Sequence, residues 1–193
     1  PGRTLFPYTT LFRSGVERVL KNGELVIADD EKAIAIGGVI GGQNTQIDDD
    51  TKNIFVEVAY FTPENIRRES RDLGIFTDSA YRNERGMDVE TLAVVMNRAV
   101  SLLAEVAEGE VLSEVIDKYV EKPKRAEISL NLEKLNKFIG KTLTYEEVGK
   151  ILTHLDIELK PLGDGTMLLT PPSYRADLTR PADIYEEVIR MYG

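Results

Sequence analysis

The chain has 193 residues, of which 42% are hydrophobic and 30% are charged, as in an ordinary globular protein of one large or two small domains. It has no cysteine and one histidine, His154, which excludes disulfide frameworks, thiolate metal sites and histidine-based metal clusters within it. The net charge of −9 argues against a broad basic surface for nucleic acids, and no apolar run reaches the roughly 18 residues of a membrane span. We therefore expect a cytoplasmic protein with no membrane partner.

Residues 1–14 lack the sequence periodicity that the rest of the chain shows. They begin without methionine and contain the string TLFPYTTLFRS, which has no helical or strand period. The string resembles the in-frame translation of a sequencing-library adapter. We therefore expect residues 1–14 to be foreign to the protein and disordered, with a genuine flexible leader as the alternative, and we expect the rest to be an internal fragment of a longer chain.

The first predicted elements are strands and glycine turns. Asn22-Gly23 between two apolar runs predicts a hairpin of residues 16–20 and 25–28. The next stretch, AIAIGGVIGGQ at residues 33–43, is an apolar strand that ends in two glycine pairs. Because glycine lets a ligand lie directly on the backbone, this turn suits a small-molecule pocket, although a tight hairpin that needs the glycines only for its turn is an alternative. Residues 53–61, NIFVEVAYF, predict a further strand.

Helices complete the first domain, which we place at residues 15–120. Thr-Pro-Glu at 62–64 predicts the start of one helix, and a glycine ends it. The polar segment 75–86 is expected to be irregular. Residues 89–107 then show a helical apolar period, which predicts a long core helix.

A second domain, residues 121–193, follows the charged, proline-containing segment 121–124. Its pattern predicts a strand, a short helix, a helix opened by a capping box at Thr144 and Glu147, a hairpin, and a last helix from Pro181. This order is typical of a small helix-and-wing module. The predicted fold class is α+β: a mixed or antiparallel β domain with flanking helices, followed by a winged-helix-like domain.

Three features of the first domain are candidates for chemistry. Glu57 is a carboxylate on an otherwise apolar strand, so it needs either an arginine partner or a ligand. Thr77 and Ser79 offer hydroxyl groups on a loop, where turn formation and helix capping are alternative uses. The five arginines within segment 67–85 form either a phosphate-binding face or a salt-bridged, solvated one.

Acidic residues near the C-terminus form the sharpest pattern. Asp183, Glu186 and Glu187 share one helix face, at i, i+3 and i+4, and Asp177 lies on the extended approach. Hard oxygen ligands suit Mg²⁺. Acids near a helix N-terminus are also stabilised by the helix dipole and by water, so spacing alone leaves both interpretations open.

Several motifs in register resemble the beta-subunit family of phenylalanyl-tRNA synthetases. The editing domain of that family is matched by AIAIGGVIGGQ, NIFVEVAYF and IRRESRDLGIFTDSAYRNERGMD, and the small domain after it by PSYRADLTRPADIYEEVIRMYG. The resemblance covers residues 15–193. It implies an (αβ)₂ heterotetramer in which the beta subunit pairs with a catalytic alpha subunit, and which uses ATP and Mg²⁺ to charge tRNA(Phe) with phenylalanine.

The resemblance also implies an editing reaction and gives residues a role in it. The editing domain hydrolyses tyrosine wrongly attached to tRNA(Phe), which is needed because an apolar pocket rejects an added hydroxyl poorly. Glu57 matches the residue that recognises the tyrosine hydroxyl, and Gly38 and Gly41 match glycines that line the pocket. Thr77 and Ser79 match positions beside the bound amino acid, which makes them the candidate catalytic residues, with a positioned water as the attacking group.

In the second domain the resemblance favours the metal interpretation. The ligands that it implies for Mg²⁺, near the alpha-subunit interface, are Asp177, Asp183, Glu186 and Glu187. The ATP used by the whole enzyme is not expected to bind this part of it.

Three departures from the family pattern bear on the editing pocket. The family usually has alanine where Ser79 stands and an aromatic residue where Asn83 stands, and a pocket histidine of the family has no counterpart in residues 1–56. We therefore expect the fragment alone to be inactive. The alternatives to an editing subunit are a non-catalytic module that only binds the alpha subunit and a free-standing hydrolase that edits in trans.

Overall fold

A computed structural model of the chain describes residues 9–193 except 16, 22, 113, 120 and 122. Its contacts divide the chain into two units. The first consists of the described residues up to Met87 with Thr91–Leu112, and the second of Asp88–Glu90 with Ser113–Gly193. The domain boundary expected between residues 120 and 121 stays a prediction, since the units change eight residues earlier, at 112/113.

Short antiparallel strands open the first unit. The strands are β1 (Thr9–Leu11), β2 (Glu17–Val19), β3 (Val26–Ala28), β4 (Ala33–Ile36) and β5 (Ile40–Gly41). β1 pairs with β2, and β3, β4 and β5 form a second sheet in that order. The predicted hairpin of residues 16–20 and 25–28 is therefore wrong for the part of it that is described, which leaves out positions 16 and 22. β3 instead takes β4 as its partner, which places Val26 opposite Ile36, a residue of the core.

The expectation that residues 1–14 are disordered is wrong for residues 9–14. β1 is paired with β2, and the Phe12 side chain is fully buried because it enters the apolar core of the unit. The Arg13 backbone N–H donates to the Gly41 carbonyl at 3.2 Å. Residues 1–8 lie outside the described residues, and the foreign origin of this segment stays a prediction.

The predicted strand over residues 53–61 is also wrong. Residues 51–62 are neither helical nor extended into a strand. Apolar alternation favours a strand, but a strand also needs a neighbour to share its backbone hydrogen bonds, and no described strand pairs with this segment. Phe55 is accordingly 89% exposed.

Three helices follow in the first unit: α1 (Pro63–Leu73), α2 (Asp78–Asn83) and α3 (Leu92–Val106). The prediction of α1 is confirmed, including its left-handed glycine cap at Gly74. α2 contradicts the expected irregular segment 75–86. α3 confirms the long helix but not its burial in a core, because no described element covers its apolar face enough to bury a side chain.

The core of the first unit joins the glycine turn to α1 and α2. It consists of Phe12, Leu20, Ala33, Ile36, Val39, Ile66, Leu73 and Ala80, with Phe61 among the half-buried side chains packed against it. Val39 belongs to the turn, Ile66 to α1 and Ala80 to α2. The turn and the two helices are thus fixed relative to each other by shared apolar burial.

The second unit follows the predicted order of elements closely. The elements are β6 (Ile128–Asn131), α4 (Leu132–Ile139), α5 (Tyr145–His154), β7 (Glu158–Gly163), β8 (Thr166–Thr170) and α6 (Pro181–Tyr192). The strands β6, β8 and β7 form one antiparallel sheet in that order, with the three helices packed beside it. The core of this unit includes Leu130, Leu152, Met167, Leu169 and Ile184, all fully buried.

Local signals explain this agreement. The Asn131 side chain caps α4, and the predicted capping box of Thr144 and Glu147 opens α5 with both of its reciprocal hydrogen bonds. The α+β fold class is confirmed by the small antiparallel sheets and helices of the two units. In the part of the chain that the structure describes, every helix is too short or too polar to cross a lipid bilayer.

Candidate functional site

The glycine turn between β4 and β5 is closely packed by protein atoms. Gly38 has a left-handed φ of +69°, and a Cβ atom there would lie 2.7 Å from Phe61 Cδ2 and 2.9 Å from Ile66 Cδ1. A Cβ atom on Gly37 would lie 2.8 Å from Phe61 Cε1. The ring of Phe61 therefore occupies the space that side chains at these two glycines would need.

The N-terminus of α2 holds this turn through hydroxyl groups. The Thr77 hydroxyl donates to the Val39 carbonyl at 2.6 Å and accepts from the Ala80 backbone N–H at 3.0 Å, so it also caps α2. The Ser79 hydroxyl donates to the Gly38 carbonyl at 2.9 Å. The structure thus brings together three of the predicted site residues: Gly38, Thr77 and Ser79.

Asn83, which the sequence singled out only as a departure from the family pattern, completes the cluster. Its amide Nδ2 lies 3.0 Å from the Gly38 carbonyl, 3.0 Å from the Ser79 carbonyl and 3.3 Å from Ser79 Oγ. The residue is 8% exposed, so these bonds are shielded from water. The i, i+4 spacing of Ser79 and Asn83 would have indicated that their side chains meet on one helix face, but only if the sequence had predicted the helix α2.

These contacts limit the chemistry of the two hydroxyl groups. The protons of Thr77 and Ser79 are committed to the carbonyls of Val39 and Gly38. Each hydroxyl also accepts a hydrogen bond, from the Ala80 N–H and from the Asn83 amide. Such groups fix the backbone of the turn, and neither is poised as a nucleophile.

Glu57 and Gly41 take no part in these hydrogen bonds. Among the described residues no hydrogen bond or ion pair reaches Glu57, so the arginine partner considered for it is not observed. Glu57 is exposed overall, yet partial desolvation raises the pKa of its carboxyl above the ordinary 4.5. At Gly41 a Cβ atom would lie 2.8 Å from Arg13 Nε.

The arginines around α1 and α2 are partly engaged within the protein. Arg67 donates to the Glu84 carbonyl at 3.1 Å. Arg85 pairs with the Glu84 carboxylate at 2.8 Å, and its guanidinium lies 3.4 Å from the centroid of the Tyr81 ring. These contacts agree with the salt-bridged alternative for this face, and phosphate binding by the remaining arginines stays a prediction.

The acidic residues of the second unit are paired with arginines. Arg175 forms a two-point contact with Asp177, Nε to Oδ1 at 2.9 Å and Nη2 to Oδ2 at 2.6 Å, and Nη2 also lies 2.8 Å from Glu187 Oε1. Arg190 Nη2 donates a hydrogen bond to the other oxygen of Glu187, Oε2, at 2.6 Å. These hydrogen bonds, with that from Arg175 as the main cause, hold the pKa values of Asp177 and Glu187 below their ordinary range.

Asp183 caps α6. Its Oδ2 accepts the backbone N–H groups of Thr179 at 3.0 Å and Arg180 at 2.8 Å, and its Oδ1 accepts Arg180 Nη2 at 2.9 Å. The Arg180 guanidinium, with the Thr179 N–H, lowers the pKa of Asp183 to about 2. The fourth predicted ligand, Glu186, is exposed.

This arrangement does not fit a magnesium ion. Among the residues that the structure describes, no three acidic or histidine side chains form a group that could hold a metal. Both oxygens of Asp177, Asp183 and Glu187 are taken by donors of this chain. As the described side chains are arranged, they do not form the magnesium site that the resemblance implies, and that site stays a prediction.

Comparison with known proteins identifies both units. The family profile of the B3/4 domain matches residues 7–108, and that of the tRNA synthetase B5 domain matches residues 128–193. The chain is 88% identical over 185 residues to the phenylalanine–tRNA ligase beta subunit of Fusobacterium nucleatum, a match of 96% of this chain and 23% of that protein.

More distant relatives carry the same name. The phenylalanine–tRNA ligase beta subunit of Porphyromonas gingivalis is 42% identical over 188 residues, which is 97% of this chain and 23% of that protein. That of Geobacter metallireducens is 39% identical over 186 residues, with 96% and 23% covered. The chain therefore spans less than a quarter of the length of these curated relatives. Since the first profile covers more than half of the chain, the chain belongs to the B3/4 domain family, with a B5 match after it, and the resemblance to phenylalanine–tRNA ligase beta subunits is confirmed.

Proposed function

We propose that the chain is part of a phenylalanine–tRNA ligase beta subunit and that its first unit hydrolyses tyrosine esters of tRNA(Phe). The order of the B3/4 and B5 matches and the 88% identity to one such subunit support the first statement. The observation that carries the second is the hydrogen-bonded clamp of Thr77, Ser79 and Asn83 on the glycine turn. A turn held at two successive carbonyls is a rigid floor for a small ligand.

In the proposed reaction a water molecule attacks the carbonyl carbon of the aminoacyl ester. The new carbon–oxygen bond replaces the bond to the ribose oxygen, which takes up the proton, so free tyrosine and uncharged tRNA leave. Thr77 and Ser79 act by fixing the backbone beside the ester, because their own protons are already bonded. The preference for tyrosine over phenylalanine depends on Glu57. This residue has no hydrogen-bond partner among the described residues and, once ionised, accepts a hydrogen bond from the phenol hydroxyl.

The whole protein would act with partners that this chain does not include. We propose an alpha subunit in an (αβ)₂ heterotetramer, tRNA(Phe) with tyrosine or phenylalanine esters as substrates, ATP and Mg²⁺ used by the assembled enzyme, and a cytoplasmic location. The name of the relatives, a beta subunit of a tRNA ligase, supports this proposal.

One observation favours the alternative of a non-catalytic module. The space beside Gly37 and Gly38 is filled by Phe61, and the space beside Gly41 is filled by Arg13. A pocket at this turn would therefore require these two side chains to move. An assay of hydrolysis separates the two functions.

The experiment places residues 15–193 into the full-length Fusobacterium nucleatum beta subunit in place of the region that they match, together with the alpha subunit of that organism. We expect this chimera to charge tRNA(Phe) and to hydrolyse its tyrosine ester faster than its phenylalanine ester. Glu57→Ala should lower the preference for tyrosine about 10- to 100-fold, as loss of a hydrogen bond to a charged group predicts.

The matched control is Glu64→Ala, an exposed glutamate on α1, which should leave the preference unchanged. A chimera that charges tRNA(Phe) but leaves its tyrosine ester intact would show that the first unit is a non-catalytic module. An unchanged preference in Glu57→Ala would refute the role of Glu57 while leaving the editing activity in place.

A further inference from the structure

We propose that the Arg175 guanidinium supplies the positive charge that neutralises the acidic cluster in the second unit, in place of a metal ion. This unit then folds without a metal ion. The cluster consists of Asp177 on the approach to α6 and of Asp183 and Glu187 on α6. The proposal concerns the fold of this unit, and it does not depend on the editing function of the first.

Arg175 bridges Asp177 and Glu187, whereas Asp183 pairs with Arg180. The Arg175 guanidinium makes the two-point contact with Asp177 and a third contact, at 2.8 Å, with Glu187. The Arg175 side chain is 20% exposed and that of Glu187 is 6% exposed. A planar guanidinium matches the geometry of carboxylates better than any other side chain, and it stays charged at every physiological pH. One side chain thus ties the turns that precede α6 to the buried face of that helix.

Glu187 requires a cation because it is buried. A buried carboxylate is destabilising unless opposite charge and hydrogen bonds compensate for its lost water. Arg175 supplies this at one oxygen and Arg190 at the other, 2.6 Å away. Each oxygen of Glu187 therefore accepts a hydrogen bond from an arginine of the protein itself, and a metal ion is not needed to bury this charge.

A divalent ion at this place would compete with Arg175. It would need the same oxygens of Asp177 and Glu187, and it would be repelled by the guanidinium that holds them. Asp183 offers no replacement, because its Oδ2 caps α6 through two backbone N–H groups and turning it away would leave them unpaired. The arginine and the ion therefore exclude each other.

The test is thermal unfolding of the full 193-residue chain, followed by circular dichroism, with EDTA or with excess MgCl₂. We expect the wild-type midpoint of the second unit to agree within about 1 °C in the two buffers, since an ion that does not bind the native state does not stabilise it. Arg175→Gln should lower that midpoint by about 10 °C in EDTA, because it leaves a buried carboxylate short of charge. Lys150→Gln, which removes the exposed pair with Glu146, is the matched control and should change it by about 2 °C or less.

Either of two results would overturn the proposal: a wild-type chain that MgCl₂ stabilises by several degrees, or an Arg175→Gln chain that unfolds at the wild-type midpoint. A second measurement covers the case in which Arg175→Gln does not fold. Mn²⁺ titrated into the wild-type chain and followed by electron paramagnetic resonance should stay free in solution. Stoichiometric binding that Asp177→Asn abolishes would establish a metal site in place of the arginine.

Discussion

Replacing Gly38 by alanine tests the packing of the glycine turn. The new methyl group would lie 2.7 Å from the ring of Phe61 and 2.9 Å from Ile66, a fully buried residue of α1. The same ring also lies against Gly37, where a Cβ atom would meet Phe61 Cε1 at 2.8 Å. The backbone at Gly38 is left-handed, with φ +69°, a conformation that disfavours any residue with a Cβ atom.

Two terms determine the expected loss of stability. The left-handed conformation costs an alanine about 1–2 kcal/mol relative to glycine. Forcing a methyl group into a filled space costs about 1–3 kcal/mol more, as other overpacked sites do. Gly38→Ala should therefore lower the free energy of unfolding by about 2–5 kcal/mol, which is a large part of the total stability of an ordinary domain.

Gly74 provides a matched control. Its φ is +64°, nearly that of Gly38, but a Cβ atom there would meet nothing within 4 Å. Gly74→Ala should therefore show only the conformational cost of about 1–2 kcal/mol. Urea unfolding of the two variants and the wild type measures the difference, and adding Phe61→Leu to Gly38→Ala should recover part of the packing cost. Equal destabilisation by Gly38→Ala and Gly74→Ala would refute the close packing of the turn.

Three further predictions concern buried or capping groups. Asn83→Ala removes the donor to the carbonyls of Gly38 and Ser79 and should cost about 1–3 kcal/mol in urea unfolding; a change within experimental error would show that water replaces the amide. Burial raises the pKa of Glu69 above 4.5, so its contribution to stability is present below that value and is lost as pH rises through the raised pKa. Urea unfolding across this range should show a decline that Glu69→Gln flattens, and parallel profiles would contradict the assignment. Thr144→Ala removes half of a capping box and should cost about 1 kcal/mol in the second unit, where undiminished stability would mean that the cap contributes nothing.

The second unit was predictable because its signals are local. A capping box, a glycine after the last helical turn and a proline in the first turn each mark a helix end within four residues of sequence. The ends of α4, α5 and α6 follow from such signals. The hairpin of β7 and β8 is likewise a contact between neighbours in the chain.

The first unit was less predictable because its strand partners are distant or absent. Asn22-Gly23 predicts a turn from the sequence, but the partner of β3 is decided by burial, and β4 offers the core residues Ala33 and Ile36. Residues 53–61 have the composition of a strand, yet no described strand pairs with them. The apolar pattern of a segment indicates which secondary structure it prefers, whereas the pairing of a strand depends on the segments that lie beside it in the fold.

The candidate site shows the same difference between local signals, which the sequence reveals, and contacts between distant residues, which it does not. That glycines matter in AIAIGGVIGGQ was evident from the sequence, but the contact that requires Gly38 comes from Phe61, 23 positions along the chain in a segment predicted to be a strand. The role of Asn83 also depended on a helix of only six residues, α2, which falls below the length at which an apolar period is informative.

The contacts of the candidate site separate positioning groups from recognition groups. Thr77, Ser79 and Asn83 donate hydrogen bonds to the carbonyls of the turn. A ligand that accepted a hydrogen bond from one of these side chains would therefore have to break a bond within the protein. Glu57 has no such bond among the described residues, and its acceptor oxygens are free for a ligand. A ligand could use the first three side chains only by breaking hydrogen bonds within the protein, whereas at the exposed Glu57 carboxylate a phenol hydroxyl would replace only water. Discrimination between tyrosine and phenylalanine is therefore expected to respond to Glu57, and the stability of the turn to the other three.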